Sequence, residues 1–396
     1  MSSQSPDLEG VDETVPPLEI RLPLAGISQD RVEVGRPPAE ILSSFNWIQT
    51  PDKMPIIAVP GHPPRWIPRV PPGRLPSDKE NNRNRQRFPL HPHAFEPLLI
   101  SLAVCRPEFD LSKVDLVTQL RNLRQLFFFA RGKQEGFRID IELFGTTIFM
   151  NRWGDPITIA NGSHSGHSCG HVFQEQTTRY CPDLLAVQVN SHHRVIKYDL
   201  RGLQLVVQHE VDTYACGCHA ECKSDTGPIY VKNDDQIKPN FSSCPDLDTS
   251  LRVLRHGSST HLFDSECIAE IKTKKGKNEP EMDNWAASQL WFSRSCNMLF
   301  GYHTDRKFNG VTKTPENKSD ALDKWHEKRQ EDIRQVAGII ECVIQWIQSP
   351  VGRSASRKFA LIRGGEEEKH FLKLYQLRED YQENMLPLKE AKNKPR

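Results

Sequence analysis

The sequence has no uninterrupted apolar run of about 20 residues, the length a membrane-spanning helix needs. Its longest apolar stretch, Ala337 to Ile347, is broken by Glu341 and Gln345, so no membrane association is expected. Met1 to Pro17 lacks the basic start and apolar run of a secretory signal. Ten cysteines in 396 residues without such a signal do not make a disulfide framework, and a soluble protein of a reducing compartment is expected. An excess of one charge is missing too: 52 Lys plus Arg against 51 Asp plus Glu leave a net +1. That excludes a basic field over the whole molecule, so any nucleic-acid contact must rest on a local patch. Internal repeats are also absent, which excludes a solenoid.

Proline, by contrast, is plentiful at one end. More than half of the 29 prolines precede residue 95, in pairs such as Pro16-Pro17, Pro37-Pro38, Pro63-Pro64 and Pro71-Pro72. Proline lacks a backbone donor and restricts the residue before it. Residues 1–90 therefore read as a largely irregular segment, much of it disordered, of which part could still pack on the domain because Phe45, Trp47 and Ile48 are costly to leave in water. A single domain is expected over 91–380, with a polar tail over 381–396. Leu111 to Phe128 has apolar residues at mixed helical spacing. Phe137 to Met150 alternates around Gly145 and predicts a hairpin. Strands are expected at Leu203–Tyr214 and Cys267–Thr273, a loop at Gly227–Asp248, and a helix at Glu281–Ser295. A second hairpin is expected from Asn297–Thr304 and Phe308–Thr312. The clearest helix is Ser319–Gln348, capped by Ser319 or Asp320 and carrying Leu322, Trp325, Ile333, Val336, Ile340, Val343 and Ile347. Phe359–Ile362 and His370–Leu377 are read as strands closing the sheet. The pattern predicts an α+β fold with a mixed β-sheet core flanked by helices.

Two triplets carry chemistry: Glu210-Val211-Asp212 and Glu270-Ile271-Lys272. Residues two apart in a strand share a face. Each triplet follows an apolar run, so neighbouring strands would bring three carboxylates and a lysine to one patch. Clustered carboxylate oxygens suit Mg2+ or Mn2+, which keep several waters and bridge to phosphate. Lys272 would orient the attacking water or stabilise transition-state charge. This is the logic of the PD-(D/E)XK nucleases. Taken singly, an E-x-K in a strand is more often a solvent-facing edge than a catalytic element.

The text around the triplets decides between these readings. Cys267-Ile-Ala-Glu-Ile-Lys-Thr273, a helix bearing Gln289, and Met298-Leu-Phe-Gly-Tyr-His303 follow one another in order. Upstream stand Leu205 to Tyr214, Gly170-His-Val-Phe-Gln174, and the segments Leu116–Leu126 and Phe137–Met150. Over about residues 95 to 312 this succession resembles the DXO-like (Rai-type) RNA decapping family, with its E-Φ-D, E-Φ-K and glutamine-helix motifs. The resemblance implies a divergent member with a PD-(D/E)XK nuclease-like fold. Asp212 and Glu270 would be metal ligands, joined by the backbone carbonyl of Ile271, and Glu210 would bind metal-bound water or a further metal. Lys272 and Gln289 would face the scissile phosphate and the attacking water. Arg121 is the candidate for the family's phosphate-binding arginine, while a register set on Val117-Thr118 puts Leu120 there instead.

One position departs from the family. Gln174 stands where it has glutamate, with Glu175 behind it. Glutamine keeps a carbonyl oxygen and loses the charge that helps hold a hard cation. Either Glu175 turns inward, or the metal is held weakly, or catalysis is lost. The resemblance implies a hydrolase acting with Mg2+ or Mn2+ on RNA 5′ ends, removing incomplete or atypical caps (nicotinamide-dinucleotide caps among them) in the nucleus and/or cytoplasm. The family's 5′-triphosphate and 5′-exonuclease activities, and support of a 5′-exoribonuclease partner, belong to the same expectation. The rivals are a catalytically degenerate RNA- or protein-binding member and a PD-(D/E)XK nuclease acting on DNA.

Other clusters carry less. Cys216-Gly-Cys218-His219-Ala-Glu-Cys222 and the set His164, His167, Cys169, His171 and Cys181 have zinc-ligand residue types without the usual paired spacing. They read as loops with free thiols. Asp234-Asp235 lacks the third aspartate of a prenyl-diphosphate synthase, because Lys238 occupies that place. Arg353, Arg357 and Lys358 could line an RNA path, although such runs usually form a solvated face.

Overall fold

Short β-branched segments and amphipathic helices alternate along the chain, and two sheets result. The computed structural model of the chain describes residues 8–24, 39–49, 55–81, 91, 93–133, 136–154, 168–181, 184, 188–215, 251–255, 262–276, 283–313, 319–364, 370–381 and 385–386. The strands are β1 Leu18–Arg21, β2 Glu40–Gln49, β3 Ile56–Val59, β4 Arg65–Trp66, β5 Leu116–Gln119, β6 Phe137–Phe144, β7 Thr147–Arg152, β8 Thr178–Arg179, β9 Gln188–Leu200, β10 Leu203–Glu210, β11 Thr213–Tyr214, β12 Arg252–Arg255, β13 Ile268–Lys275, β14 Asn297–Thr304, β15 Lys307–Lys313, β16 Lys358–Arg363 and β17 Phe371–Gln376. The helices are α1 Asp78–Asn81, α2 Glu96–Cys105, α3 Leu120–Ala130, α4 Gly170–Thr177, α5 Asn284–Ser293, α6 Ser319–Lys328, α7 Gln330–Gln348 and α8 Pro350–Ala355.

An eleven-stranded sheet has the order β1-β17-β16-β6-β7-β5-β10-β9-β2-β3-β12, and a six-stranded sheet the order β15-β14-β13-β11-β4-β8. Both mix parallel and antiparallel pairs. The expected α+β architecture with a mixed sheet core is thus present. Among the described residues no helix is long and apolar enough to cross a membrane.

The main core lies where helices pack between sheet faces. Leu116, Leu205, Val207, Ile148 and Met150 of the large sheet meet Leu123, Leu126 and Phe127 of α3 and the Ile333–Ile347 stripe of α7. Ile333, Val336, Ile340, Val343 and Ile347 are fully buried at three- and four-residue steps. Burial of each is worth roughly 1.5–3 kcal/mol. The opposite face of the large sheet packs on α2 through Val117, Phe149 and Val206.

Several elements differ from the sequence reading. Leu111 to Phe128 is a strand followed by a helix, because Leu116, Val117 and Thr118 fill a place between two parallel neighbours and are buried on both faces. The long helix breaks at Arg329, whose non-helical backbone (φ −114°, ψ 13°) separates α6 from α7. Residues 1–90, expected to be largely irregular, supply β1 to β4, with Leu42, Phe45, Ile57 and Val59 buried in the core. In the expected polar tail, Tyr381, Met385 and Leu386 are buried. The expected loop at Gly227–Asp248 lies outside the described residues.

Candidate active site

The chain passes from one sheet to the other between Glu210 and Thr213. Leu203 to Glu210 form β10 of the large sheet, with Glu210 opposite His193 of β9. Val211 keeps a backbone bond to the His192 carbonyl (2.9 Å) and is buried. Thr213 and Tyr214 then enter the small sheet beside Ala269 and Ile268 of β13. Asp212 is the pivot. The expectation that Glu210 and Asp212 share one face of a strand adjoining the Glu270 strand is therefore corrected: β10 ends at Glu210, and its continuation β11 is the neighbour of β13.

This crossing brings the two triplets together. The Asp212 carboxylate accepts from the Ile271 backbone N–H at 2.7 Å. A residue's N–H and C=O point to the same strand edge, so the Ile271 carbonyl also faces the Asp212 side. Glu270 is 1% exposed. Lys272 Nζ stands 3.9 Å from Glu270 Oε2 and 4.0 Å from Asp212 Oδ2, bridging the two carboxylates. Gln289 Nε2, on α5, donates to Glu270 Oε2. Burial and then the Asp212 charge push the Glu270 carboxyl well above the usual range, against the pull of Lys272. Glu210 is exposed, yet near enough to add to that shift.

Gln174, where the resemblance implies a glutamate, also faces this centre. Gln174 Nε2 donates to the Asp212 backbone carbonyl at 3.4 Å. Glu175 accepts from Asn81 Nδ2 at 2.9 Å, toward α1, so it does not take the missing ligand's place. Helix α4 is held by Phe173, which stacks on Phe308 with centroids 4.3 Å apart. Gly301 of β14 makes room for that stack, since a Cβ there would meet the Phe173 ring at 2.5 Å. Gly301→Ala is expected to cost about 1–3 kcal/mol by overpacking, read as a lower denaturant midpoint. Unchanged stability would mean that the ring pair has room to yield.

Arg121 and Leu120 are distinguished by packing. Leu120 joins the core under α3, whereas Arg121 is open to solvent. One turn on, Arg124 donates to the Trp285 carbonyl (3.0 Å) and Ser288 Oγ (3.3 Å), and its guanidinium lies 4.1 Å over the Trp285 ring. Lys272 Nζ is 5.0 Å from the same ring. Arg124 feels the Glu270 charge, while burial draws its pKa down to about 10. Sequence reasoning missed Arg124 and Trp285. Their signal was weak, an arginine three residues after Arg121 and an aromatic four before Gln289.

Among the described residues no three His, Cys, Asp or Glu side chains converge as a metal cage. The oxygen-rich centre nevertheless fits a hard divalent cation. Glu270 Oε1 and Gln289 Oε1 are buried without a hydrogen-bond partner, and two carboxylates crowd together. Asp212 and Glu270 supply the charge, with the Ile271 carbonyl on the same side. Cys169 is buried, and Cys181 and His171 are partly buried, whereas His164, His167, the Cys216–Cys222 cluster and Asp234-Asp235 lie outside the described residues. A separate cavity of about 490 Å3, lined in part by Arg65, Trp66, Tyr214 and Leu299, opens on the face of the small sheet that carries Ile271, opposite Glu270.

The α+β fold with mixed sheets is similar to that of the Rai1 and Dxo1 structures. Scheffersomyces stipitis Rai1, in complex with (3′-NADP)+ and calcium ion, aligns over 90% of this chain and 96% of its own with a TM-score of 0.56 at 12% identity. Candida albicans Rai1, in complex with pU5 and Mn2+, aligns over 91% and 93% (TM-score 0.53, 10% identity). K. lactis Dxo1, in complex with manganese, aligns over 91% and 98% (0.52, 10%). At such identities the likeness establishes the fold. By sequence, residues 28–387 match the family described as a domain of unknown function (DUF8563), and the chain belongs to it. No curated protein matches the sequence.

Proposed function

We propose that this chain is a metal-dependent hydrolase of RNA 5′ ends that removes incomplete or atypical caps, dinucleotide caps among them. The observation that carries this reading is the meeting of Asp212, Glu270, Lys272 and Gln289 where the chain crosses between sheets. The ligands of the similarly folded proteins, a dinucleotide phosphate and a 5′-phosphorylated oligouridine with divalent cations, support it. A divalent cation held by Asp212 and Glu270, with the Ile271 carbonyl beside them, would lower the pKa of a bound water and neutralise phosphate charge. Gln289 Oε1, buried without a partner, would accept a hydrogen bond from the attacking water. Lys272 supplies a cation for the charge that develops on the phosphate oxygens. Water adds to phosphorus, the phosphodiester or anhydride P–O bond breaks, and the leaving oxygen takes a proton.

A specific observation favours a second reading. Gln174 faces the centre without charge and Glu175 is turned to Asn81, as suits a member that binds RNA ends or a protein without cleaving. One experiment decides. The protein is incubated with Mn2+ or Mg2+ and RNAs bearing triphosphate, unmethylated-cap or dinucleotide 5′ ends, with single-stranded DNA alongside. The expected result is metal-dependent release of the end group from RNA in preference to DNA. Intact RNA under every condition sinks the hydrolase, and preferential DNA cleavage makes it a DNA nuclease of related chemistry.

A further inference from the structure

Three parallel strands end beside the acidic centre. β7, β5 and β10 lie side by side, with Thr118 opposite Met150 and Gln119 opposite Gln208. Their C-terminal ends therefore share one edge. Across that edge stand Arg152, the last residue of β7, then Arg121, the second residue of the helix that follows β5, then Glu210, the last residue of β10. Adjacent strands are about 4.8 Å apart, so the row spans on the order of 10 Å between its outer strands.

The two arginines are uncompensated. Among the described residues neither guanidinium has a hydrogen-bond or carboxylate partner, whereas Arg124, Arg131, Arg138 and Arg306 all do. Protein mass around Arg121 and then repulsion from the nearby Arg152 guanidinium bring its pKa down to about 10. Solvent reaches Arg121, and Arg152 is half-buried. Like charges held side by side at a solvent-open edge form a site for anions, and guanidinium groups suit phosphate oxygens. Their separate placement on β7 and α3 fits two successive phosphates better than one.

We propose that Arg121 and Arg152 form a track for consecutive backbone phosphates of a single-stranded polynucleotide, leading away from the acidic centre across the ends of β5 and β7. This deepens the function proposed above and rests on it for the placement of the reacting end at Asp212 and Glu270. It assigns Arg152 a binding role, and it makes an oligonucleotide a better ligand than a mononucleotide.

The test is equilibrium binding of a 5′-phosphorylated oligouridine in EDTA at several salt concentrations, so that neither metal nor cleavage contributes. Each single-strand phosphate contact adds about 0.7 to the slope of log K against log salt. Arg152→Ala is expected to lower that slope by about this amount and to weaken binding several-fold, with uridine monophosphate unaffected. Arg152→Lys is expected to restore the slope, which separates lost charge from lost folding. An unchanged slope in Arg152→Ala, no binding of the oligouridine by the native chain, or equal Arg152-dependent binding of polyglutamate overturns the track. Cleavage with an Arg152-independent slope rejects the track and keeps the hydrolase; an Arg152-dependent slope without cleavage does the reverse.

Discussion

Glu270→Gln is expected to lower metal-dependent cleavage by a hundredfold or more while leaving the fold intact. The magnitude is that of removing one preorganised electrostatic group from a catalytic centre, about 10²–10³. Glutamine is nearly isosteric, and its carbonyl oxygen can still accept the bond from Gln289 Nε2. Its amide nitrogen takes the place of Glu270 Oε1, which lacks a partner. The substitution also removes a buried negative charge crowded against Asp212, at the cost of the contact with Lys272. In metal-free buffer the variant should therefore melt at or above the native temperature. Activity and stability then move in opposite directions, as they do where a site holds charges the fold itself does not need. End-group release and thermal melts on the same preparations provide the check. Native-like cleavage by Glu270→Gln would remove this residue from the chemistry, and a collapsed melting transition would make its role structural.

The parts of this centre that were legible in sequence are those built from local pattern. Glu270 and Lys272 share a face because Ile271 between them turns to the other side of a regular strand, and alternation shows that directly. The α5 helix lies within the helix expected over Glu281–Ser295, and the hairpins around Gly145 and at β14–β15 follow from alternation and turn residues. Asp212 is a candidate in the sequence for a local reason that the structure does not share. Its position comes from a chain that leaves one sheet and enters another, and β11 and β4, two residues each, are too short to leave a periodic trace. The strand at Leu116–Gln119 was hidden because burial on both faces erases alternation. Arg152 was unreadable for a similar reason: only the parallel pairing of β7 with β5 sets it beside Arg121. The prolines before residue 95 masked β2, whose Leu42 and Phe45 pack under α2 while its backbone pairs with β9 and β3. Contacts between segments far apart in sequence decided each of these places.

Gln174→Glu is expected to tighten divalent-metal binding by about tenfold or more, with a cost that appears only when metal is absent. The side-chain end of Gln174 lies against Asp212, where its amide nitrogen donates to the backbone carbonyl at 3.4 Å. A carboxylate there loses that donor and faces a carbonyl oxygen, with the Asp212 and Glu270 carboxylates nearby. In EDTA the variant should melt below the native protein, because like charges are pressed together and a bond is lost. A hard cation reverses the balance, since a third negative oxygen ligand adds to its coordination. Tenfold tighter binding corresponds to about 1.4 kcal/mol of additional stabilisation when metal is well above its dissociation constant. The melting curves of native and variant should therefore cross as Mn2+ is added. Calorimetric titration measures the affinity change without reference to activity. If the proposed hydrolase is held back by weak metal binding, cleavage rises together with affinity. Tighter binding without cleavage would assign the centre to binding, and equal affinities in the two proteins would show that position 174 lies outside the cation's reach.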